Sequence, residues 1–434
     1  MLLNPKGFAV IGASSEKEKV GHIVFKNLLE SKVKAYPVNP NTSKVLRQKC
    51  YGSVIELKNK VSHAVIAVPA KIVPQVVEEC GAAGVKTVIV ISAGFSEVGN
   101  NKLEEEVKEI VNNHDMRLLG PNVLGVIVPG VFNASFFEGE IKSGGVSFIS
   151  QSGALGVGVL DSLVNSEWGL RSFISIGNAA DINITDALKE SLSDKKTSCV
   201  IVYAESLQKG KAFMEACSES DKPVFILKAG TSSAGKRAAS THTGSLAGSD
   251  EIYSAAFNQC GARRVGSLKS LINAGMIYDQ QGFLGEKALI ITNAGGPGIL
   301  VTDALEKAGI KVPKLPSKLV KLLNKKLRGV AWSGNNPVDV VGDARADRYL
   351  KVFKAVSKYS FYDEVIVLLT PQAMTEPLKT AKGLVRFNKR VKKPLIACFI
   401  GGPSIKEAVS FLEEKGVMVF QELSDLTSVF RFLV

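Results

Sequence analysis

The chain has 434 residues, of which 45% are hydrophobic and 22% charged, so its composition is that of a folded protein and not of a disordered one. Basic residues outnumber acidic ones, 54 to 41, but they are mostly dispersed and come with no aromatic-rich platform or zinc-finger spacing, which argues against nucleic-acid binding. No apolar run reaches the ~18 residues of a membrane span, and the N-terminus does not resemble a signal peptide, so we expect a cytoplasmic protein that does not enter the membrane.

Short apolar runs rich in Val and Ile alternate with longer amphipathic stretches along the chain. Such runs are typical of strands that are buried on both faces of a parallel sheet. The clearest are Gly7–Ile11, Ala64–Val68, Thr87–Ile91, Val146–Ile149, Cys199–Tyr203, Val224–Leu227, Ala288–Ile291, Val365–Leu369 and Leu395–Phe399. The alternation predicts an α/β protein built from repeated βαβ units in about three doubly wound domains.

Two polar, glycine-containing breaks divide the chain, one near Lys142 and one near Asp279. They predict a first domain at residues 1–142, a second at 143–280 and a third at 284–434.

The second and third predicted domains share sequence features. The strand-to-helix segment that starts at Phe148 returns at Ile290, with a constant offset of 142 residues. A second shared motif, Gly-Asn followed by an Asp, starts at Gly177 and again at Gly334. Two motifs in the same order indicate duplicated flavodoxin-like domains.

The first strand ends in a glycine turn, Gly12-Ala13-Ser14-Ser15, which we interpret as leading into a helix start. Backbone N–H groups at such a turn favour a bound phosphate. The turn departs from G-x-G-x-x-G, and no Asp or Glu closes the next strand, so an NAD site is disfavoured while a coenzyme A (CoA) or other phosphate site stays open. The alternative is a tight turn in which glycine serves the geometry alone.

Two further strand-to-helix turns are small, polar and glycine-rich, and each should leave N–H donors unpaired at a helix N-terminus. Two such ends directed at one point could hold a phosphoryl group without a metal. Ordinary N-capping by Ser and Asn is the alternative for each turn taken alone. The candidate phosphate-binding residues are Ser150, Gln151, Ser152, Gly153, Asn293, Ala294, Gly295 and Gly296.

The stretch Gly230–Arg237 nearly matches the P-loop pattern, but Arg237 replaces the hydroxyl residue that should bind Mg²⁺, so a P-loop NTPase is a weak alternative. Of the four histidines, His242 differs because it lies in a run of Ser, Thr, Gly and Ala with no core to fill. A loop of this kind suits a nucleophilic or phosphate-carrying imidazole, although a plain loop histidine is the common case. The six cysteines form no Cys-x-x-Cys pair, and we expect no disulfide and no metal site.

The segment from Leu227 to Asp250, centred on His242, resembles the phosphohistidine loop of the alpha subunits of ADP-forming acetyl-CoA synthetases, in the succinyl-CoA synthetase superfamily. The resemblance covers essentially the whole chain. It implies a Rossmann-like CoA-binding domain followed by two flavodoxin-like domains, with His242 phosphorylated and Glu205 hydrogen-bonded to its imidazole. A solvent-exposed acid at a strand end is the alternative for Glu205.

The resemblance also implies where CoA and the acyl group bind. Gln151 and Asn178 would line the acyl pocket. The positions that match the family's CoA contacts are Gly12, Ala13, Ser14, Ser15, Lys44, Val68, Pro69, Ser92, Ala93, Gly94 and Asn122.

The family further contains an ATP-grasp module that binds the nucleotide and Mg²⁺, and three α/β domains use up this chain. We therefore expect a separate ATP-grasp beta subunit that carries ADP or ATP and Mg²⁺, in an α₂β₂ assembly. The expected substrates are acetate or another acid with its acyl-CoA, and phosphate. A ligase for another acid, such as succinate, and a non-catalytic CoA-sensing module are the alternatives.

Overall fold

A computed structural model describes residues 2–243 and 249–434, without the side chains of 239–243. The chain forms two compact units, one ending at Ser267 and the other spanning Leu268–Val434. The first unit contains one parallel and one mixed sheet, with a small antiparallel hairpin, and the second unit contains one parallel sheet.

The first sheet has five parallel strands in the order β2-β1-β5-β6-β7. The winding direction reverses between β1 and β5, which is the point where open α/β sheets bind ligands. The strands up to β7, with the small β3–β4 hairpin, are β1 (Phe8–Ile11), β2 (Ala35–Val38), β3 (Lys44–Val45), β4 (Gln48–Lys49), β5 (His63–Ile66), β6 (Thr87–Val90) and β7 (Arg117–Leu119).

The second sheet has seven strands in the order β14-β13-β12-β10-β11-β8-β9, in which β8 and β9 run antiparallel. The β8–β9 pair lies before residue 143, where the second domain is predicted to begin. In the structure these two strands nevertheless pair with the sheet of the second domain, through β8 and β11. The strands are β8 (Gly125–Val128), β9 (Phe132–Ser135), β10 (Lys142–Ser150), β11 (Gly169–Ser175), β12 (Cys199–Ala204), β13 (Val224–Lys228) and β14 (Arg263–Arg264).

The third sheet has five parallel strands in the order β16-β15-β17-β18-β19. Its winding repeats that of β10 to β14, so the predicted duplication of flavodoxin-like domains is confirmed. The strands are β15 (Ala288–Thr292), β16 (Val338–Asp339), β17 (Glu364–Leu369), β18 (Leu395–Phe399) and β19 (Met418–Phe420).

Helices connect the strands, as the βαβ pattern predicts. Those of the first unit are α1 (Val20–Leu29), α2 (Val73–Ala82), α3 (Asn101–Asn113), α4 (Gly153–Leu163), α5 (Ile184–Ser193), α6 (Gly210–Ser218), α7 (Ser233–Thr243) and α8 (Asp250–Gln259). Those of the second unit are α9 (Leu268–Gln281), α10 (Gly295–Lys307), α11 (Ser317–Lys326), α12 (Ala346–Val356), α13 (Pro377–Val391), α14 (Lys406–Glu414) and α15 (Leu423–Thr427). None of the described helices is both long and apolar enough to cross a membrane.

The nine predicted apolar runs all coincide with strands, and their side chains form the cores of the three sheets. The domain limits at 142 and 280 stay predictions. All six cysteines are buried and free.

Candidate functional site

Backbone atoms pack so closely around the glycine turn after β1 that neither Gly12 nor Gly21 has room for a side chain. Gly12 has φ +89°, and a Cβ there would lie 2.3 Å from the carbonyl oxygen of Ala67. A Cβ on Gly21 would lie 2.0 Å from the carbonyl oxygen of Gly12. The expected helix start follows the turn, because α1 begins at Val20. Glycine at both positions lets the first turn of α1 pack against the end of β1.

Gly21→Ala is expected to destabilise the first unit by about 2–3 kcal/mol, because the new methyl group overlaps backbone that has no room to move. Gly158→Ala is the matched control, since this glycine also lies in a helix but its Cβ would meet no atom within 4 Å. The control is expected to stabilise the protein by ~0.5–1 kcal/mol. Urea denaturation of both variants measures the difference, and equal midpoints would contradict the packing argument.

The residues after Gly12 are fixed by hydrogen bonds to neighbouring loops. The Asn39 side-chain amide donates to the Ala13 carbonyl at 2.8 Å, and the Ser14 hydroxyl accepts from the Glu16 N–H at 3.1 Å. The Ser15 hydroxyl donates to the backbone carbonyl of Lys44 at 3.3 Å, so the two predicted phosphate contacts lie side by side.

A cavity of about 810 Å³ lies in the first unit, at the carboxyl ends of strands from both of its sheets. It brings together predicted CoA contacts with predicted phosphate and acyl contacts. The predicted residues that line it are Val68, Ser92, Ala93, Asn122, Gln151, Ser152, Gly153, Asn178 and Glu205.

Apart from His242, whose side chain lies outside the described residues, the other predicted site residues do not line this cavity. Gly12 supports its wall, since a Cβ there would lie 2.9 Å from the Val68 side chain. The remaining predicted residues of the first unit are Ala13, Ser14, Ser15, Lys44, Pro69, Gly94 and Ser150. Asn293, Ala294, Gly295 and Gly296 belong to the second unit.

The loop that carries Asn178 is held against the end of the first sheet. Asn178 N donates to the Pro121 carbonyl at 3.0 Å, and Ile182 N donates to the Leu118 carbonyl at 3.0 Å. Arg117 forms a forked ion pair with Asp181, with Nε 2.8 Å from Oδ2. These bonds place Asn178 where the two sheets of the first unit meet.

Asn178 joins a group of side chains that the sequence did not single out. Its amide nitrogen donates to Glu97 Oε2 at 2.6 Å, to Glu104 Oε2 at 2.8 Å and to Ser96 Oγ at 3.1 Å. Of these acceptors, Glu97 and Ser96 line the cavity. The only feature of the sequence that could have indicated Ser96 and Glu97 is their position. Both follow β6, at the carboxyl edge of the sheet, where open α/β sheets bind ligands.

Glu97 is held ionised by the groups around it. Burial favours the neutral acid, but hydrogen bonds from Asn178 and from backbone N–H groups outweigh it, so the pKa of Glu97 lies below its ordinary value. Gly94 N donates to Oε1 at 2.5 Å, and Phe95 N lies 3.2 Å from both carboxylate oxygens. A fixed negative charge therefore faces the cavity.

The N-terminus of α4 also faces the cavity. Ser152 caps the helix by accepting from Leu155 N at 3.3 Å. Among the described residues, the N–H groups of Gly153 and Ala154 have no acceptor, and both residues line the cavity. Free N–H groups at the positive end of a helix bind anions, as the sequence predicts for this turn.

Gln151 positions the segment that carries Glu205. Its side-chain oxygen accepts from Glu205 N at 2.8 Å and from Ser206 N at 3.0 Å, and its amide nitrogen donates to the Ser206 hydroxyl at 3.1 Å. Glu205 is 8% exposed, so the alternative of a solvent-exposed strand-end acid is wrong. Burial, together with the neighbouring Glu205 carboxylate, raises the pKa of Tyr203 to about 12.

A buried lysine lies beside Glu205. Lys228 pairs with Ala204 across β12 and β13, and its ammonium lies 4.6 Å from the ring centre of Tyr253. Burial lowers the pKa of Lys228 below its ordinary value, and the nearby Arg264 guanidinium adds to this. The ends of β12 and β13 therefore bring the Glu205 carboxylate close to the Lys228 ammonium and the Arg264 guanidinium. These groups lie just before the segment that carries His242.

The expected loop around His242 is helical up to Thr243, because α7 spans Ser233–Thr243. Helix α7 contacts the short 3₁₀ turn Ser96–Val98. The side chain of His242 lies outside the described residues, so its partner stays a prediction. Gly235 and Lys236 lie inside α7 and not in a loop before it, which removes the geometric basis of the P-loop interpretation.

The corresponding turn of the second unit repeats the local geometry. Ser150 Oγ donates to the Ser152 carbonyl at 2.7 Å, and Thr292 Oγ1 donates to the Ala294 carbonyl at 2.9 Å. The Asn293 side chain forms two hydrogen bonds with the backbone of Thr370. The Thr370 N–H donates to Asn293 Oδ1 at 2.9 Å, and Asn293 Nδ2 donates to the Thr370 carbonyl at 2.8 Å. Within the described chain, the N–H groups of Gly295 and Gly296 have no acceptor.

Comparisons with known families assign three consecutive regions. Residues 6–129 match a CoA binding domain, 143–278 a succinyl-CoA ligase like flavodoxin domain, and 288–429 a ligase-CoA domain. No group of three or more His, Cys, Asp or Glu side chains that could hold a metal occurs in the part of the chain that the structure describes.

Similar proteins span the full chain. The alpha subunit of acetate–CoA ligase (ADP-forming) II of Pyrococcus furiosus is 38% identical, over 99% of this chain and 96% of that protein. An ADP-forming acetate–CoA ligase of Methanocaldococcus jannaschii is 40% identical over 96% of this chain, which covers 60% of that longer protein. The structure of a Candidatus Korarchaeum cryptofilum dinucleotide-forming acetyl-coenzyme A synthetase, in complex with phosphate and ADP, matches with TM-score 0.94 and 36% identity, over 100% of this chain and 95% of that one.

Proposed function

The chain belongs to the family of ADP-forming acetate–CoA ligases, and from this premise we propose that its first-unit cavity converts acyl-CoA and phosphate to acyl phosphate and passes the phosphoryl group to His242. The overall reaction is acyl-CoA + ADP + phosphate ⇌ carboxylic acid + ATP + CoA. The observation that carries the proposal is the single cavity that joins predicted CoA contacts, such as Ser92, to the free N–H groups at the start of α4.

The cavity fits an acyl-CoA thioester with a phosphate beside it. Val68, Ser92 and Ala93 form the wall at the ends of β5 and β6, where we place the CoA chain. The N–H groups of Gly153 and Ala154 supply the hydrogen bonds that a phosphate needs. Gln151 and Asn178 would orient the acyl group, and the turn Gly12–Ser15 with Lys44 would hold CoA phosphates outside the cavity.

In the first step, a phosphate oxygen attacks the thioester carbonyl carbon and the C–S bond breaks, so that CoA leaves as its thiolate. Negative charge builds on the carbonyl oxygen and then on the leaving sulfur, while the phosphate is anionic from the start, and fixed N–H donors stabilise such charges without rearranging. The product is an acyl phosphate in the same cavity.

In the second step, an imidazole nitrogen of His242 attacks phosphorus, and the bond from phosphorus to the acyl oxygen breaks, which frees the carboxylate. Phosphoryl transfer depends mainly on positioning and on stabilising charge on the equatorial oxygens. Glu205 would accept a hydrogen bond from the other ring nitrogen and so fix the tautomer of His242. The glycine turn Asn293–Gly296 is proposed as a second site for phosphoryl oxygens.

The final transfer to ADP is proposed to occur on a second polypeptide. The Pyrococcus furiosus relatives are named alpha subunits, which supports a separate beta partner. We assign to that partner an ATP-grasp fold, the ADP or ATP and the Mg²⁺, and we expect an α₂β₂ assembly. Six buried free thiols are compatible with the reducing cytoplasm, where we place the reaction.

Incubation of the full chain with acetyl-CoA, followed by a thiol reagent, tests the first step. CoA release is expected to depend on added inorganic phosphate and to need no nucleotide, because residues of this chain form the cavity. Binding of acetyl-CoA without phosphate-dependent release would contradict the proposal and favour a CoA-sensing module.

A further inference from the structure

The helix that carries His242 packs against a turn that follows a strand of the other sheet in the first unit. Helix α7 follows β13 of the second sheet, and it contacts the short 3₁₀ turn Ser96–Val98, which follows β6 of the first sheet. Ser96 and Glu97 of this turn also line the cavity. The turn therefore helps to set where α7 lies beside the cavity.

The hydrogen bonds within the turn do not connect it to the rest of the domain. Val98 N donates to the Phe95 carbonyl at 3.1 Å, and Gly99 N donates to the Ser96 carbonyl at 3.0 Å. These two bonds close the turn. The N–H of its first residue, Ser96, needs an acceptor from outside, as is general for the first N–H groups of a helical segment.

Glu104 supplies this acceptor from the first turn of α3. Its Oε2 accepts from Ser96 N at 3.2 Å and from Ser96 Oγ at 2.7 Å. The same oxygen accepts from Asn178 Nδ2 at 2.8 Å. Helix α3 is held in the core by Val107 and Val111, which are both buried. A side chain on a well-packed helix thus fixes the turn, and supports of this kind keep functional groups in place.

Glu104 acts on the turn from outside the cavity, because it does not line the cavity itself. The Glu97 carboxylate has contacts of its own with Gly94 N and with the Asn178 amide. Loss of the Glu104 contacts would therefore release the Ser96 end of the turn and leave these contacts of Glu97 in place. The expected consequence is a displaced contact with α7 and a cavity that keeps its lining.

We propose that Glu104 is a positioning residue for the transfer of the phosphoryl group to His242, because it fixes the turn against which α7 packs. This inference rests on the proposed function and deepens it, since it assigns the alignment of the second step to a residue outside the cavity. A misplacement of ~1 Å can cost about 100-fold in rate. The first step does not involve the imidazole, so it should depend on Glu104 much less.

Two substitutions separate the reach of the Glu104 side chain from its charge. Glu104→Asp keeps a carboxylate in the first turn of α3 but shortens the side chain, so that the oxygen no longer reaches Ser96. Glu104→Gln keeps the length and an oxygen acceptor but removes the charge. We expect Glu104→Asp to phosphorylate His242 at least about tenfold more slowly than the parent, and Glu104→Gln to stay within about threefold of the parent rate.

The assay is the rate at which the full chain takes up ³²P from labelled acetyl phosphate, which enters at the second step and bypasses acetyl-CoA. Phosphate-dependent CoA release from acetyl-CoA reports the first step, and it should stay within about threefold of the parent in both variants. Glu105→Asp is the matched control, because Glu105 is the next residue of α3 and its exposed carboxylate pairs with Lys108 at 3.4 Å. This control should behave as the parent in both assays.

Equal slowing of both steps in Glu104→Asp would overturn the inference, because Glu104 would then act on the cavity through Asn178. Labelling of Glu104→Gln that is as slow as that of Glu104→Asp, or slower, would overturn it as well, since reach would not be the property that matters. If Glu104→Asp does not fold, Ser96→Ala removes one of the two bonds from the turn to Glu104. Its labelling should fall more than its CoA release, and an equal or smaller fall would overturn the inference.

The parent chain distinguishes failure of this inference from failure of the proposed function. A parent that releases CoA and takes up label, together with a Glu104→Asp variant that labels at the parent rate, overturns the inference alone. A parent that neither releases CoA nor takes up label overturns the proposed function, and the inference with it.

Discussion

His242→Ala is expected to abolish ATP formation from acetyl-CoA, ADP and phosphate in the presence of the partner subunit, with a loss of at least about 10⁴-fold. The same variant should release CoA from acetyl-CoA in the presence of phosphate at a rate within about threefold of the parent, because attack on the thioester does not involve the imidazole. The chemistry should therefore stop at acyl phosphate. Trapping with hydroxylamine, which converts acyl phosphates to hydroxamates, measures the product.

His114→Ala is the matched control for this experiment. His114 lies on the outside of the first domain, where its Nε2 is 2.7 Å from Glu78 Oε1, and it does not line the cavity. Both reactions should proceed in this variant as in the parent. Loss of phosphate-dependent CoA release in His242→Ala, with the fold intact, would contradict a two-step route through acyl phosphate.

A second large effect is expected on stability, at Glu364 at the start of β17. The side chain is 1% exposed, its Oε2 accepts from Gly285 N at 2.6 Å, and its Oε1 has no hydrogen-bond partner among the described residues. Burial raises the pKa of Glu364 to about 8, against an ordinary value of 4.5. The folded chain therefore keeps a proton here that the unfolded chain releases.

The sign of the pH dependence follows from proton binding. Between pH 4.5 and about 8 the folded state holds this proton and the unfolded state does not, so rising pH removes stability. At about 1.4 kcal/mol per pH unit, the loss across this window is roughly 5 kcal/mol, and it ends once pH passes the folded pKa. Glu364→Gln should abolish this contribution, because the amide does not ionise.

Urea denaturation at pH 5 to 9, with the difference taken between parent and variant, isolates the contribution of Glu364. Trp168 and Trp332 are the two tryptophans, so a Trp168→Phe background leaves Trp332 as a reporter within the second unit. Glu286→Gln is the matched control, since it is the same substitution at an exposed carboxylate nearby in the chain that does not contribute to the pKa shift of Glu364. A parent and a Glu364→Gln variant with parallel pH profiles would contradict a protonated Glu364.

Much of the fold could be predicted because a parallel strand that is buried on both faces consists of consecutive apolar residues, which are easily recognised in the sequence. The run Leu395–Phe399 coincides with β18, and Thr87–Ile91 differs from β6 by one residue. Strand β11 was missed because it is interrupted by Arg171 and Ser172. The Ser172 hydroxyl donates to the Ser147 hydroxyl at 3.0 Å, so a polar residue is buried at little cost once a partner strand supplies an acceptor.

The site could be predicted only where local sequence carries the signal. Ser152 and Gly153 were predicted because a capping residue and a glycine at a strand-to-helix junction have a local cause. Glu97 was missed because its role depends on Asn178, which comes 81 positions later and reaches it only in the folded chain. The expected loop around His242 is helical up to Thr243 because Ala234, Ala238 and Ala239 favour helix, and α7 continues through them.

The most direct test of the central claim is to incubate the full chain with acetyl-CoA and ³²P-labelled phosphate and then to locate the label. We predict one acid-labile, base-stable phosphoryl group that depends on acetyl-CoA and maps to His242 by peptide mass spectrometry. Label that forms without acetyl-CoA, or that persists in His242→Ala, would contradict the transfer of phosphate from the cavity to this imidazole.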